Sequence, residues 1–179
     1  MKLIAGALLL GAGLTIGGCG SQRTKAPDIA DSIHTSLDNA GFKDVSVKQD
    51  RDKGVVTLKG TVPSEAEKLR AESIAKAQAA SEVVANEIAV VPPTNESAAK
   101  TVNSDIDKAI DKNLDAALVQ NRLNKDVKYS VNNGVVTLKG NVDSQAARSQ
   151  AGSVAARVPN VSQVVNELEV HHNKATSSR

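Results

Sequence analysis

The chain predicts an α+β protein built from two tandem αββαβ modules, each a three-stranded sheet covered on one face by two helices. Three observations carry that expectation. The run Gly54-Val-Val-Thr-Leu-Lys-Gly60 returns letter for letter as Gly134-Val-Val-Thr-Leu-Lys-Gly140, eighty residues later. Asn86-Glu-Ile-Ala-Val90 aligns with Asn166-Glu-Leu-Glu-Val170 at the same offset. Apolar residues recur at helical intervals before each glycine run and around it at strand intervals. A repeat of this kind is a duplicated module and is recognised before any single motif is interpreted.

Residues 1–18 precede the modules. Lys2 is followed by an apolar stretch from Leu3 to Ile16 and then by small residues. This is the pattern of an export signal. A membrane-spanning helix needs about 20 apolar residues, more than this glycine-interrupted stretch supplies. Ile16-Gly17-Gly18-Cys19 resembles the bacterial lipobox, in which the cysteine is diacylated, freed by cleavage before it and then N-acylated; an ordinary secretory signal with an incidental cysteine is the competing reading. Cys19 is the only cysteine, so no disulfide staples the chain, and an unpaired thiol in an exported protein calls for a role. Each buried CH₂ contributes about 0.8 kcal/mol, so several acyl chains hold a protein to a bilayer nearly permanently. Gly20-Ser21 lacks the Asp that marks inner-membrane retention, which points to the outer membrane, facing the periplasm.

Residues 19–27 read as a polar tether. In the first module, 28–91, Ile29, Ile33, Leu37 and Ala40 share a helical face, with Asp28 as N-cap and Gly41 as stop. Val45 and Val47 alternate with polar residues, and a charged turn from Asp50 to Gly54 leads into a strand from Val55 to Lys59, a hairpin that Gly60 should end. Ser64 and Glu67 form a capping box for a second helix, with Ala66, Leu69, Ser73, Ala77 and Ala80 as its weakly apolar face. A third strand runs from Val83 to Val91. Pro92-Pro93 cannot continue it, so 92–102 reads as a linker. The second module, 103–170, repeats the plan: a helical stripe of Ile106, Ile110, Leu114 and Ala117, an alternating strand of Val127, Tyr129 and Val131, and an Asn133-Gly134 pair suited to a two-residue turn. Ser144 caps a helix with Ala147, Ala151, Val154 and Val158 inward, and the last strand spans Val161 to Val170. Residues 171–179 read as a disordered tail.

The Gly-Val-Val-x-Leu-x-Gly hairpin, the helix after its second glycine and the endings Val84-Ala-Asn-Glu-Ile-Ala-Val90 and Val164-Val-Asn-Glu-Leu-Glu-Val170 together resemble the BON domain of bacterial envelope proteins. Two copies behind a lipobox are similar to outer-membrane lipoproteins that support envelope integrity and bind phospholipid. The resemblance implies a non-enzymatic, lipid-anchored periplasmic protein that binds phospholipid or envelope partners under osmotic stress. A structural adaptor for a cell-wall or secretion-machinery protein is the alternative.

Composition narrows the partners. There are 22 Lys and Arg against 20 Asp and Glu; cleavage before Cys19 would remove Lys2 and leave +1, far from the dense charge of a nucleic-acid binder. The glycines lack phosphate-loop spacing and read as hairpin glycines. His34, His171 and His172 offer no chelating set, no Ser, His and Asp arrangement recurs in both copies, and the pairs Asp105/Asp107 and Asp111/Asp115 read as solvated helix charges. Thus no catalytic residue, metal, cofactor or small-molecule substrate is expected. Lys68, Arg70 and Lys76, with Arg148 and Arg157 in the second copy, are the candidate contacts to anionic head groups, and Cys19 is the lipidation site.

Overall fold

The structure, a computed structural model, describes residues 25–171. Cys19, most of the expected tether, and 172–179 lie outside the described residues. The first module runs α1 (Ala30–Asn39), β1 (Val45–Asp50), β2 (Val55–Val62), α2 (Glu65–Ala79) and β3 (Val83–Val90). Its central strand is β2, antiparallel to β1 and parallel to β3. Parallel neighbours cannot be joined by a tight turn, and α2 supplies the crossover. The second module runs α3 (Glu96–Gln120), β4 (Val127–Asn132), β5 (Val135–Val142), α4 (Gln145–Ala156), β6 (Gln163–Asn166) and β7 (Glu169–Val170). Both β6 and β7 pair in parallel with β5, so the single last strand expected from Val161 to Val170 is two pieces interrupted at Glu167 and Leu168.

Alternation within the repeated run sorts its side chains. Val56 and Leu58, like Val136 and Leu138, point into a helix-covered core, while Val55 and Val135 point to the other face. Ile33 and Leu37 of α1 and Ile110, Leu114 and Leu118 of α3 are buried against these valines and leucines. The expected stripe on α3 lies one turn too early: Ile106 is 36% exposed and Leu118 takes the last core place. The α2 face is reversed. Ala71, Ala75 and Ala79 are buried, whereas Ala66, Leu69, Ser73, Ala77 and Ala80 all face solvent, Leu69 at 55% exposure. Small side chains let the helix axis lie close to the sheet, and leucine fits the outside better than that narrow gap.

Several boundaries move. Ile29, not Asp28, occupies the N-cap of α1 and makes no side-chain cap, and Asp28 instead approaches Arg51 at 3.4 Å. Gly60 does not end its strand: β2 continues to Val62, as β5 does through Gly140 to Val142. A Cβ on Gly60 would lie 2.0 Å from the Asp44 carbonyl oxygen, and one on Gly140 2.2 Å from that of Asp126. The glycines thus admit a neighbouring backbone rather than terminate a strand. The expected linker 92–102 is helical from Glu96, because only the two prolines exclude helix; Ser97-Ala98-Ala99-Lys100 are compatible with it, and Glu96 and Lys100 pair at i,i+4. The end of the tether is pinned, since Ala26 N–H donates to Arg51 O at 3.0 Å.

The helix-free faces of the two sheets meet. Val55 and Ala85 of the first module and Val135 and Val165 of the second form one buried cluster of two equivalent pairs, each eighty residues apart, which gives the seam an approximate two-fold character. Gln163 lies along the β3 edge, its Oε1 accepting Asn86 N–H at 3.1 Å and its Nε2 donating to Val84 O at 2.7 Å. This amide satisfies edge groups that would otherwise template another strand. Asn133 Nδ2 donates to Glu87 O at 2.8 Å, and its counterpart in the first hairpin, Lys53, pairs with Glu169.

Candidate functional site

The asparagine of each last-strand motif proves to be a fastener. Asn86 Oδ1 accepts Ile88 N–H while its Nδ2 donates to Lys68 O at 3.2 Å; Asn166 does the same with Leu168 N–H and with Arg148 O at 2.9 Å. Each ties the crossover helix to the strand that follows it. The next residue faces the seam. Glu87 pairs with Lys59 at 2.9 Å and Glu167 with Lys139 at 3.4 Å, both carboxylates on side chains less than 9% exposed. Each pair lies within its own module, Lys59 and Glu87 as direct cross-strand neighbours. An ion pair with one buried partner is costly to break and contributes little net stability when intact, so these lysines neutralise a carboxylate at the seam rather than join the modules.

The five expected head-group cations are not one patch. Lys68 lines a cleft between α2, β3 and the second module's turns, and Arg148 lines the equivalent cleft in the second copy, where its Nη2 donates to Asn166 O at 3.0 Å. Arg70 lies on the exposed side of α2, 5.4 Å over the Phe42 ring. Lys76 is exposed and pairs with Glu72. Arg157 is the exposed C-cap of α4. Burial pushes the Glu72 carboxyl up, but hydrogen bonds from Lys76 and Asn86 and the charges of Lys76 and Lys68 outweigh it and hold the pKa below the usual carboxylate range. His34 sits on the helix surface 3.7 Å from Asp38, and among the described residues no three His, Cys, Asp or Glu side chains gather as a metal site. No described helix is long and apolar enough to cross a membrane.

The larger concavity is at the junction of the modules and was not among the expected sites. Thr61, Ala89 and Val91 of the first module, Val131 and Asn133 of the second, and one side of α3 line an open cleft of about 580 Å³. On α3, Lys100, Ser104, Lys108 and Lys112 follow one another at i,i+4 and line it together with Asp107 and Asp111. Asp107 is more than a solvated helix charge: its two oxygens accept the N–H groups of Asn133 and Gly134 at 2.8 and 2.9 Å. That carboxylate holds the turn in which both residues have positive φ. Tyr129 O–H donates to Asp111 O at 3.1 Å, and burial together with the charges of Asp111 and Asp115 raises its pKa to about 12. The lysine spacing is visible in the chain, but the expected linker boundary at 102 divided it.

The BON domain family model matches residues 25–92 and 104–171. Osmotically-inducible protein Y of Escherichia coli (strain K12) is 34% identical over 134 residues, which cover 74% of this chain and 64% of that protein. An "Uncharacterized protein in gshII 5'region" of Anaplasma centrale is 37% identical over 123 residues, 68% of this chain and 79% of that one. Among solved structures, the C-terminal domain of CdsD, a structural protein of the Type III secretion system of Chlamydia trachomatis, matches with a TM-score of 0.31 at 16% identity, covering 79% of this chain and 64% of that one. Two family matches that divide the described chain between them, each carrying the glycine-flanked hairpin and the fastening asparagine, settle its membership: the chain belongs to the BON domain family, with two copies in tandem.

Proposed function

We propose that this is a periplasmic, osmotic-stress-related envelope protein, lipid-anchored through Cys19 to the outer membrane, that binds anionic phospholipid without catalysing a reaction. The observation that carries the lipid contact is the outward face of α2, where exposed Leu69 stands beside Arg70 with Ala66, Ala77 and Ala80 on the same side. An apolar side chain flanked by a cation suits the boundary between head groups and acyl chains. Similarity to the osmotically inducible protein supports the stress assignment. The anchor works with that face. Six residues lie between Cys19 and pinned Ala26, seven backbone steps with an extended reach of at most about 25 Å, which keeps the modules close to the bilayer whatever their intrinsic affinity. Lys76 and Arg157 add exposed positive charge on the outer helices, while Lys68 and Arg148 serve mainly the clefts they line.

Vesicle co-sedimentation of residues 19–179 carrying Cys19→Ser, which retains every described residue, tests the proposal. Anionic vesicles should recover more protein than neutral ones at low salt, the difference should shrink as salt rises, and Leu69→Asp should reduce recovery. Equal recovery by both vesicle types would leave the adaptor reading in its place. Separately, the mass of the mature N-terminal peptide should carry the acyl groups on Cys19; an unmodified cysteine overturns the anchor.

A further inference from the structure

We infer that the junction cleft binds a single-chain anionic amphiphile, its charged head on Lys108 and Lys112 and its alkyl chain along Ala89, Val91 and Val131. This rests on the lipid-binding reading above but assigns a different site, at the seam instead of the outer face of α2. The volume of about 580 Å³ lies within the ordinary range of small-ligand sites, which favour domain junctions. Its walls divide by chemistry. Apolar side chains come from β4 and the end of the first sheet, and ammonium groups come from α3.

The cationic wall is a ladder. Lys100 and Lys112 are twelve residues apart, about 18 Å along a helix at 1.5 Å per residue, with Lys108 between them on the same side. The acids on this side offset it only in part: three lysines line the cleft against Asp107 and Asp111. Both oxygens of Asp107 accept N–H groups of the second hairpin's turn, which fixes that carboxylate on the turn while its charge remains. Lys100 and Lys108 pair only with exposed acids of their own helix, Glu96 and Asp105, contacts of a kind that yields readily to a better anion. Lys112 forms no ion pair among the described residues. A ligand matching both walls needs one compact anionic head and one apolar chain; a bare anion leaves the floor unused, and a neutral chain leaves the ammonium groups unused.

Dodecyl phosphate, titrated calorimetrically below its micelle concentration into residues 19–179 carrying Cys19→Ser, is the direct probe, with inorganic phosphate and a dodecyl ammonium salt in parallel. The expected result is one saturable site for dodecyl phosphate, and little heat from either control. Replacing both Lys108 and Lys112 with Ala should weaken it by about tenfold or more. Ala89→Trp should fill the floor and abolish binding. Should that variant fail to fold, the exposed lysine pair still decides the matter. Absence of binding, equal binding of inorganic phosphate, or binding indifferent to the lysine pair overturns the assignment. Vesicle recovery reports separately on α2: saturable dodecyl phosphate binding without vesicle binding would defeat the membrane reading and leave the cleft, and the reverse would defeat the cleft alone.

Discussion

The two modules open differently, with a helix of 10 residues in the first and 25 in the second, yet each must solve the same problem of holding its hairpin against the start of that helix. The first uses extended backbone: Ala26 N–H reaches Arg51 O, and Pro27 O accepts Gln49 Nε2 at 2.7 Å. The second uses a side chain, Asp107, projecting from extra turns of helix onto the hairpin turn. The loops they hold differ to match, four residues between Asp50 and Val55 against two between Asn132 and Val135. What the repeat preserves is the docking of turn on helix, and the means of docking is free to change. The longer helix also brings the lysines that line the junction cleft, so an element recruited for scaffolding creates a site the first module lacks.

Substitutions at matched positions sharpen or break this comparison. Gly60→Ala and Gly140→Ala should each destabilise the protein by about 3 kcal/mol in urea unfolding, because both force a Cβ into a backbone carbonyl; a large inequality between them would show that the equivalent strands are not equally confined. Asp107→Ala should cost about 2 kcal/mol by leaving two turn N–H groups without their charged acceptor, a loss with no counterpart in the first module. Ala80 and Asn160 share the place before the last strand and both have positive φ, 49° and 67°. Asparagine tolerates positive φ better than alanine, and Ala80 at ψ −102° lies outside even the left-handed helical region, so Ala80→Gly should raise stability by about 1 kcal/mol and Asn160→Gly should change it little, as read from thermal melts.

The smallest effect concerns acid. Glu72 bonds Asn86 Nδ2 at 3.0 Å, whereas the matching residue in the second module is Gly152. The Glu72 pKa is lowered on folding, so its stabilising contribution is present above the usual carboxylate range and is lost as pH falls through the folded value. Glu72→Gln should therefore flatten the acid side of a plot of unfolding free energy against pH by about a few tenths of a kcal/mol, what a partly exposed pair supplies.

Where local chemistry is decisive, the chain was readable. Asn133-Gly134 specifies its turn, Ser64 accepts Glu67 N–H as the capping box requires, and identical heptads give identical strands. The α2 face was not readable, because alanines lie all around that helix and only the narrow gap to the sheet decides which of them turn inward. The start of α3 was obscured by Pro92-Pro93, whose veto on regular structure extends just to their own neighbours. The junction cleft was illegible for another reason: Ala89, Lys108 and Val131 belong to three elements in two modules, and only the docked seam brings them together.

That seam has a further consequence for what a fused pair permits. In a homodimer each contact across a two-fold axis appears twice, so a residue that improves one copy of an interface must be accommodated at the other. Here one end of the seam uses Asn133 on Glu87 O and the matching end uses Lys53 on Glu169, while Gln163 clasps the β3 edge and Val83 stands at the corresponding place. Joining the halves in one polypeptide keeps their local concentration high at any dilution and releases each from mirroring the other. One half is thereby left to hold the assembly together while its twin acquires chemistry of its own.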